Sequence, residues 1–210
     1  MSIQDRKERE KIEMRNLIIG AANHIIDEEG IDNLSIRKIA NIIEYSPAII
    51  YHYFKDKNEI VNCIMKTGYE KILSVLATAQ DSDINPKEKL KKTLREYIKA
   101  ALEMQEEYKT IMLSSSKEVL DHTAILLRGD VNKRQTLNIL YQCIKSILNN
   151  QDIKDTEVEL TAQIVWTSTF GLIMRVLIEK EIPENQQELL IEHHIKFILN
   201  GILLLKRGDE

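Results

Sequence analysis

The sequence predicts an all-α protein, and three observations carry that prediction. Among 210 residues there are only 7 Gly and 3 Pro, too few turn formers for a sheet with many hairpins. Ile, Leu, Glu, Lys and Ala dominate, the composition of long helices joined by short turns. The apolar residues also recur at helical rather than alternating spacing from Met14 almost to the end of the chain. About nine helices are expected, in a small N-terminal three-helix domain and a larger C-terminal helical one.

Met14, Leu17, Ile18, Ala21, Ala22, Ile25 and Ile26 line one face of a first helix that Gly30 ends. Ser35 is the expected N-cap of a short second helix with the stripe Ile36, Ile39, Ala40 and Ile43. Ser46 as N-cap and Pro47 at the first helical position open a third helix of about two turns. That helix is too short to stand alone, because nucleation costs more than two turns of hydrogen bonds return. At roughly 100° per residue, Ile50, Tyr53 and Phe54 fall on a docking side, leaving Ala48, Ile49, Tyr51 and His52 facing away. Asp56 and Glu59 form a capping box for the next helix.

Further on, Asn85, Pro86 and Glu88 start a helix expected to reach about Glu107, with a short helix from Tyr108 to Ser116 after it. A longer one should run from Leu120 or later to Asn149, then one from Asp155 to Lys180 and one from Pro183 to Lys206. The last two have apolar faces broad enough to need two surfaces against them, one in the core and one on a partner.

A net charge of -4 argues against nonspecific coating of nucleic acid, so any DNA contact must be local. Cys63 and Cys143 stand far apart without zinc-ligand spacing and read as small buried hydrophobes of a reducing compartment. The charged N-terminus and the apolar runs broken by Arg175 and Asn200 point to a cytoplasmic protein with no membrane span. No cofactor or metal is expected. A carboxylate di-metal bundle would need Glu-x-x-His, yet no Glu precedes any of the five histidines by three residues. With no phosphate-binding glycine loop and no nucleophile elbow, an enzyme is not expected.

Two short helices joined by a tight turn and docked on a longer one form the helix-turn-helix arrangement, although ordinary bundles contain such pairs too. Here a resemblance becomes specific. Ala21–Ala22, Gly30, Ser35, Ile39–Ala40 and "YHYFKDK" stand in the pattern of the tetracycline-repressor (TetR) family, and residues 16 to 65 resemble its DNA-binding domain. This chain departs from that family at Glu44, where many members have the turn glycine, and at Ala48 and Ile49, where they have a Gly-Thr pair.

The resemblance implies a DNA-binding domain over residues 1–56 and an effector-binding and dimerisation domain over 57–210. It implies DNA contacts by Arg37, Ser46, Pro47, Ala48, Ile49, Tyr51, His52 and Lys57, with Tyr51 and Lys57 on phosphate and Ala48, Ile49 and His52 at base edges. It also implies a homodimer through the last two long helices, a double-stranded palindromic operator and a small-molecule effector. Tyr97, Met104, Tyr108, Met112, Tyr141, Trp166 and Phe170 are candidates to line a site for a hydrophobic or amphipathic effector. The expected function is thus a ligand-responsive repressor. A helical adaptor that binds only protein is the alternative, and it would tolerate loss of Tyr51 and Lys57.

Overall fold

A computed structural model describes residues 3–80, 84–115, 117–148, 153–179 and 181–205. Among them are ten α-helices, two short 3-10 turns and no strand. The helix ends expected at Asn149, Lys180 and Lys206 lie outside the described residues, while the short helix expected from Tyr108 to Ser116 runs instead from Gln105 to Met112. The chain divides into two compact units, one of residues 1–69 with 106–119, the other of residues 70–105 with 120–210.

The first unit contains α1 (Ile3–Glu29), α2 (Ile36–Ile42), α3 (Pro47–Tyr53) and the start of α4 (Lys57–Gln80). Ile18, Ala22, Ile25 and Ile26 of α1 pack with Ile39, Ala40, Ile50, Phe54, Ile60 and Ile64 in one buried cluster. The stripe from Met14 therefore does what its spacing predicts except at Leu17, which is exposed, and it is the surface on which both short helices dock. Gly30 follows α1 with φ +82°, a backbone region that strains any side chain. The same unit includes α6 (Gln105–Met112).

Two further boundaries differ from the sequence reading. The helix that opens at Pro86, α5, ends at Glu103 rather than near Glu107. Met104 leaves helical geometry at φ −116°, ψ 49°, and α6 starts at once at Gln105. The helix placed from Leu120 onward is instead α7 (Lys117–Thr123), a connecting segment, and α8 (Gln135–Leu148). Gly129, at φ +83°, bends the chain within that segment.

In the second unit α5, α8, α9 (Asp155–Ile178) and α10 (Glu184–Leu205) pack on one another. By length and composition α9 could cross a membrane, but half of its most apolar window is buried among these helices. Polar side chains are buried here too. Glu159 of α9 accepts from the backbone N–H groups of Gly129 (2.8 Å) and Val131 (3.3 Å). Gln163, one turn on, donates to the carbonyl oxygens of Ile125 (2.7 Å) and Leu127 (3.3 Å). Asp130 accepts from Leu127 N–H at 2.9 Å. Together they supply partners to an irregular, partly buried backbone.

His194 of α10 meets Thr169 of α9, Nε2 to Oγ1, at 3.0 Å. The threonine hydroxyl donates to Val165 O at 2.7 Å, so its oxygen accepts and His194 carries its proton on Nε2. Burial holds this imidazole below its ordinary pKa.

The outer sides of α9 and α10 carry exposed apolar residues at heptad spacing. On α9 these are Ile164, Gly171 and Ile178; on α10 they are Leu190, Phe197 and Leu204. Space over Gly171 and Gly201 is open, with nothing within 4 Å of where a Cβ would sit.

Candidate nucleic-acid interface

The turn between α2 and α3 decides where the third helix points. Ser35 caps α2 by accepting from Lys38 N–H at 3.3 Å. At the other end, Tyr45 N–H reaches back to Ala40 O (3.0 Å) and Glu44 N–H to Asn41 O (3.3 Å). This pair of bonds is a Schellman motif, and it requires a left-handed residue at the position Glu44 occupies. Glu44 adopts φ +58°, the one positive φ outside glycine among the described residues. The departure from glycine therefore leaves the turn geometry intact and is absorbed as backbone strain, of about 1 kcal/mol for an L-residue.

Pro47 opens α3 as expected, and Ser46 occupies its N-cap. The serine hydroxyl accepts no capping bond, however; the backbone does that work, Ile49 N–H donating to Ser46 O at 3.0 Å. Inward, Ile50 is 0% and Phe54 1% exposed, while Tyr53 is half-buried. Outward, Ser46, Pro47, Ala48, Ile49, Tyr51 and His52 are all exposed, Tyr51 at 57%. The His52 ring meets Tyr53 edge to face, centroids 5.3 Å apart.

Arg15 of α1 holds the far end of α3. Its guanidinium lies 4.0 Å over the Phe54 ring and donates to Tyr53 O, a carbonyl that the helix end leaves without an intrahelical partner. It also approaches Cys63 Sγ at 3.6 Å and Glu59 at 3.8 Å. Sequence reading misses Arg15, which looks like one more charge in a mixed-charge helix start. Its signal is position, since it follows Met14 at the head of the docking stripe.

Asp56 and Glu59 form the capping box with one shift. Glu59 N–H donates to Asp56 Oδ1 at 2.9 Å, but the Glu59 carboxylate accepts from Lys55 N–H at 2.7 Å, one residue before the cap. Lys57 is half-buried and its ammonium donates to Ile31 O at 3.3 Å. Two of its three donors remain for another acceptor. Arg37 is exposed on the first turn of α2. Tyr45, Ile42 and Lys55, which sequence reading does not single out, are exposed beside these residues in the chain.

The candidates for effector contact fall in both compact units. Tyr97 and Trp166 are buried and stack at a 34° tilt, centroids 4.9 Å apart. Tyr141 turns its hydroxyl to Asp155 at 2.9 Å, where Lys145 joins at 2.8 Å and draws the carboxyl below its ordinary pKa. Met104 and Phe170 are half-buried. Tyr108 and Met112 belong to the first compact unit, apart from the other five.

Residues 18–64 match the family model described as "Bacterial regulatory proteins, tetR family". An uncharacterised HTH-type transcriptional regulator of Mycobacterium tuberculosis is 27% identical over 123 residues, 56% of this chain and 52% of the relative. The chain thus spans about half the length of the curated relatives it matches. Among solved structures, the TetR family transcriptional regulator PfmR from Thermus thermophilus superposes with a TM-score of 0.65 at 20% identity, over 87% of this chain and 97% of that one. The fatty acid degradation regulator FadR from Bacillus halodurans gives 0.66 at 17% identity, over 89% and 98%. At these identities the structures establish a shared fold, and residues 18–64 are the part of the chain that matches the family model.

Proposed function

We propose that this chain, which carries the tetR-family DNA-binding domain in residues 18–64, is a cytoplasmic repressor that binds a palindromic operator as a homodimer and is released by a hydrophobic or amphipathic effector. Residues 1–56 form the DNA-binding domain in this reading, and residues 57–210 bind effector and partner. The observation that carries it is α3, whose apolar anchors Ile50 and Phe54 are buried while Ser46, Pro47, Ala48, Ile49, Tyr51 and His52 face outward. A helix so held can enter a major groove with its outer side chains at base edges.

Tyr51 and Lys57 supply phosphate contacts, which fix register and carry no sequence information themselves. Ile49, in place of a hydroxyl-bearing residue, offers apolar contact to a thymine methyl. The exposed stripes on α9 and α10 support a two-fold four-helix contact, with Gly171 allowing close approach. Two copies would then set their α3 helices about 34–36 Å apart, one helical turn of DNA. An effector bound beside Tyr97 and Trp166 lowers operator affinity only by its differential affinity for the two dimer states.

Selection from random duplex DNA is expected to enrich a palindrome that the full chain shifts in gels. No enrichment would sink this reading in favour of the protein-only adaptor. A ligand that binds tightly yet leaves operator affinity unchanged would remove the effector mechanism alone.

A further inference from the structure

We propose that the groove between α5 and α10 is a second ligand site, separate from the Tyr97–Trp166 region, and that it takes an amphipathic anion: an alkyl chain with a carboxylate or phosphate head. The groove has a volume of about 630 Å³. Its accessible apolar lining is Leu189, exposed, and Leu203, half-buried, above the buried Ile195 and Leu199. Its rim is cationic. Lys87, Lys91 and Arg95 recur every fourth residue along α5, one face of that helix, and Lys196 stands opposite on α10.

The carboxylates in the lining neutralise only part of that charge. Glu192 holds Arg95 through two hydrogen bonds of 2.8 Å, and Glu88 holds Lys91 at 2.7 Å. Among the described residues no ion pair engages Lys87 or Lys196. Among the described lining residues, four cations against two carboxylates leave two positive charges in excess, in a chain whose net charge is -4. The Arg95–Glu192 pair closes one end. From there to Lys87 is eight residues of α5, about 12 Å of helix, a length that suits a medium alkyl chain laid along the leucines. A simple anion would leave Leu189 and Leu203 wet, and a neutral lipid would leave the two lysines without a partner. The anionic amphiphile satisfies both.

Calorimetry on the full chain with dodecanoate, dodecyl phosphate and dodecanol, each below its aggregation limit, tests this. At least one of the two anions should bind, dodecanol should bind far more weakly, and Lys87→Gln with Lys196→Gln should weaken the anion by about tenfold or more, the scale of losing charge-assisted contacts. The pair Lys99→Gln and Lys133→Gln, exposed in the same unit and outside the groove, changes net charge equally and should leave binding intact. All four substitutions sit at partly or fully exposed positions, so thermal unfolding should match the parent chain. Absence of binding by both anions, undiminished binding in the Lys87/Lys196 variant, or an equal loss in the Lys99/Lys133 control would each overturn the assignment. None of these outcomes depends on operator binding, so failure here leaves the regulatory reading standing.

Discussion

Two segments of this molecule are too short or too irregular to fold alone, and they are held in opposite ways. Helix α3 makes its own backbone hydrogen bonds except at its last carbonyls, where Arg15 serves Tyr53 O, so what it chiefly lacks is a reason to stay; Ile50 and Phe54, both buried, provide it. The segment from Ala124 to Arg134 leaves amides and carbonyls without regular partners, so apolar burial would not suffice. There the protein buries Glu159, Gln163 and Asp130 to supply those partners. The rule that follows is physical: apolar anchors fix an element whose backbone is self-satisfied, and polar anchors fix one whose backbone is not. An anchored α3 keeps its whole outer face free for another molecule.

The largest test of this contrast is Phe54→Ala. Loss of the ring should cost about 3–5 kcal/mol in urea unfolding and release Arg15 from its stacked position. Next, Glu159→Ala should cost about 1–3 kcal/mol by leaving buried amides unpaired. Hydrogen exchange should rise at Gly129 and Val131 while the amides of α3 stay protected. If both regions loosened together in either variant, the two modes of anchoring would not be separable.

A third substitution probes the free face. Tyr51→Phe should leave stability within about 0.5 kcal/mol and weaken operator binding by about tenfold, as expected for one lost hydrogen bond to a phosphate. Equal binding by the variant in a gel-shift titration would remove Tyr51 from the interface. A smaller effect is expected at the turn. Glu44→Gly should raise stability by no more than about 0.5 kcal/mol, because glycine takes the left-handed region without strain while its greater freedom in the unfolded chain offsets much of the gain. A lower urea midpoint for that variant would mean that the glutamate side chain stabilises the turn.

The smallest expected effect is a pH dependence in the second unit. His194 has a folded pKa held below the unfolded value of about 6.5, so the unfolded chain binds a proton first as pH falls. Stability from this group is complete above the unfolded pKa and is lost as pH drops through the folded one. His194→Gln should flatten that part of the stability profile without changing the behaviour of α3. An unaltered slope would place the pH response elsewhere.

Much of the first unit is legible in the sequence, because its stripes have a single period and its helices have local caps. Met14 to Ile26, Ser35 and the Asp56–Glu59 pair all act through neighbours three or four residues away. The second unit is legible only in outline. The break at Met104 lies inside an amphipathic pattern that continues across it, and the brace formed by Glu159 and Gln163 joins residues about thirty or more apart in the chain. Neither leaves a local mark. The effector candidates are hard to sort for the same reason, since apolar and aromatic residues at helical spacing look alike whether they meet, as Tyr97 and Trp166 do, or turn to other partners, as Tyr141 does.

By itself, then, the sequence determined the all-helical class, the short-range caps, the inward and outward faces of α3 and the family to which that module is similar, because each depends on residues within a turn or two of one another. Tertiary structure alone decided that Glu44 takes the left-handed turn of a glycine, that Arg15 secures the end of α3 from another helix, and that Lys57 is already in contact with Ile31. Those outcomes depend on which backbone atoms distant segments bring into reach, and only the packed core sets that.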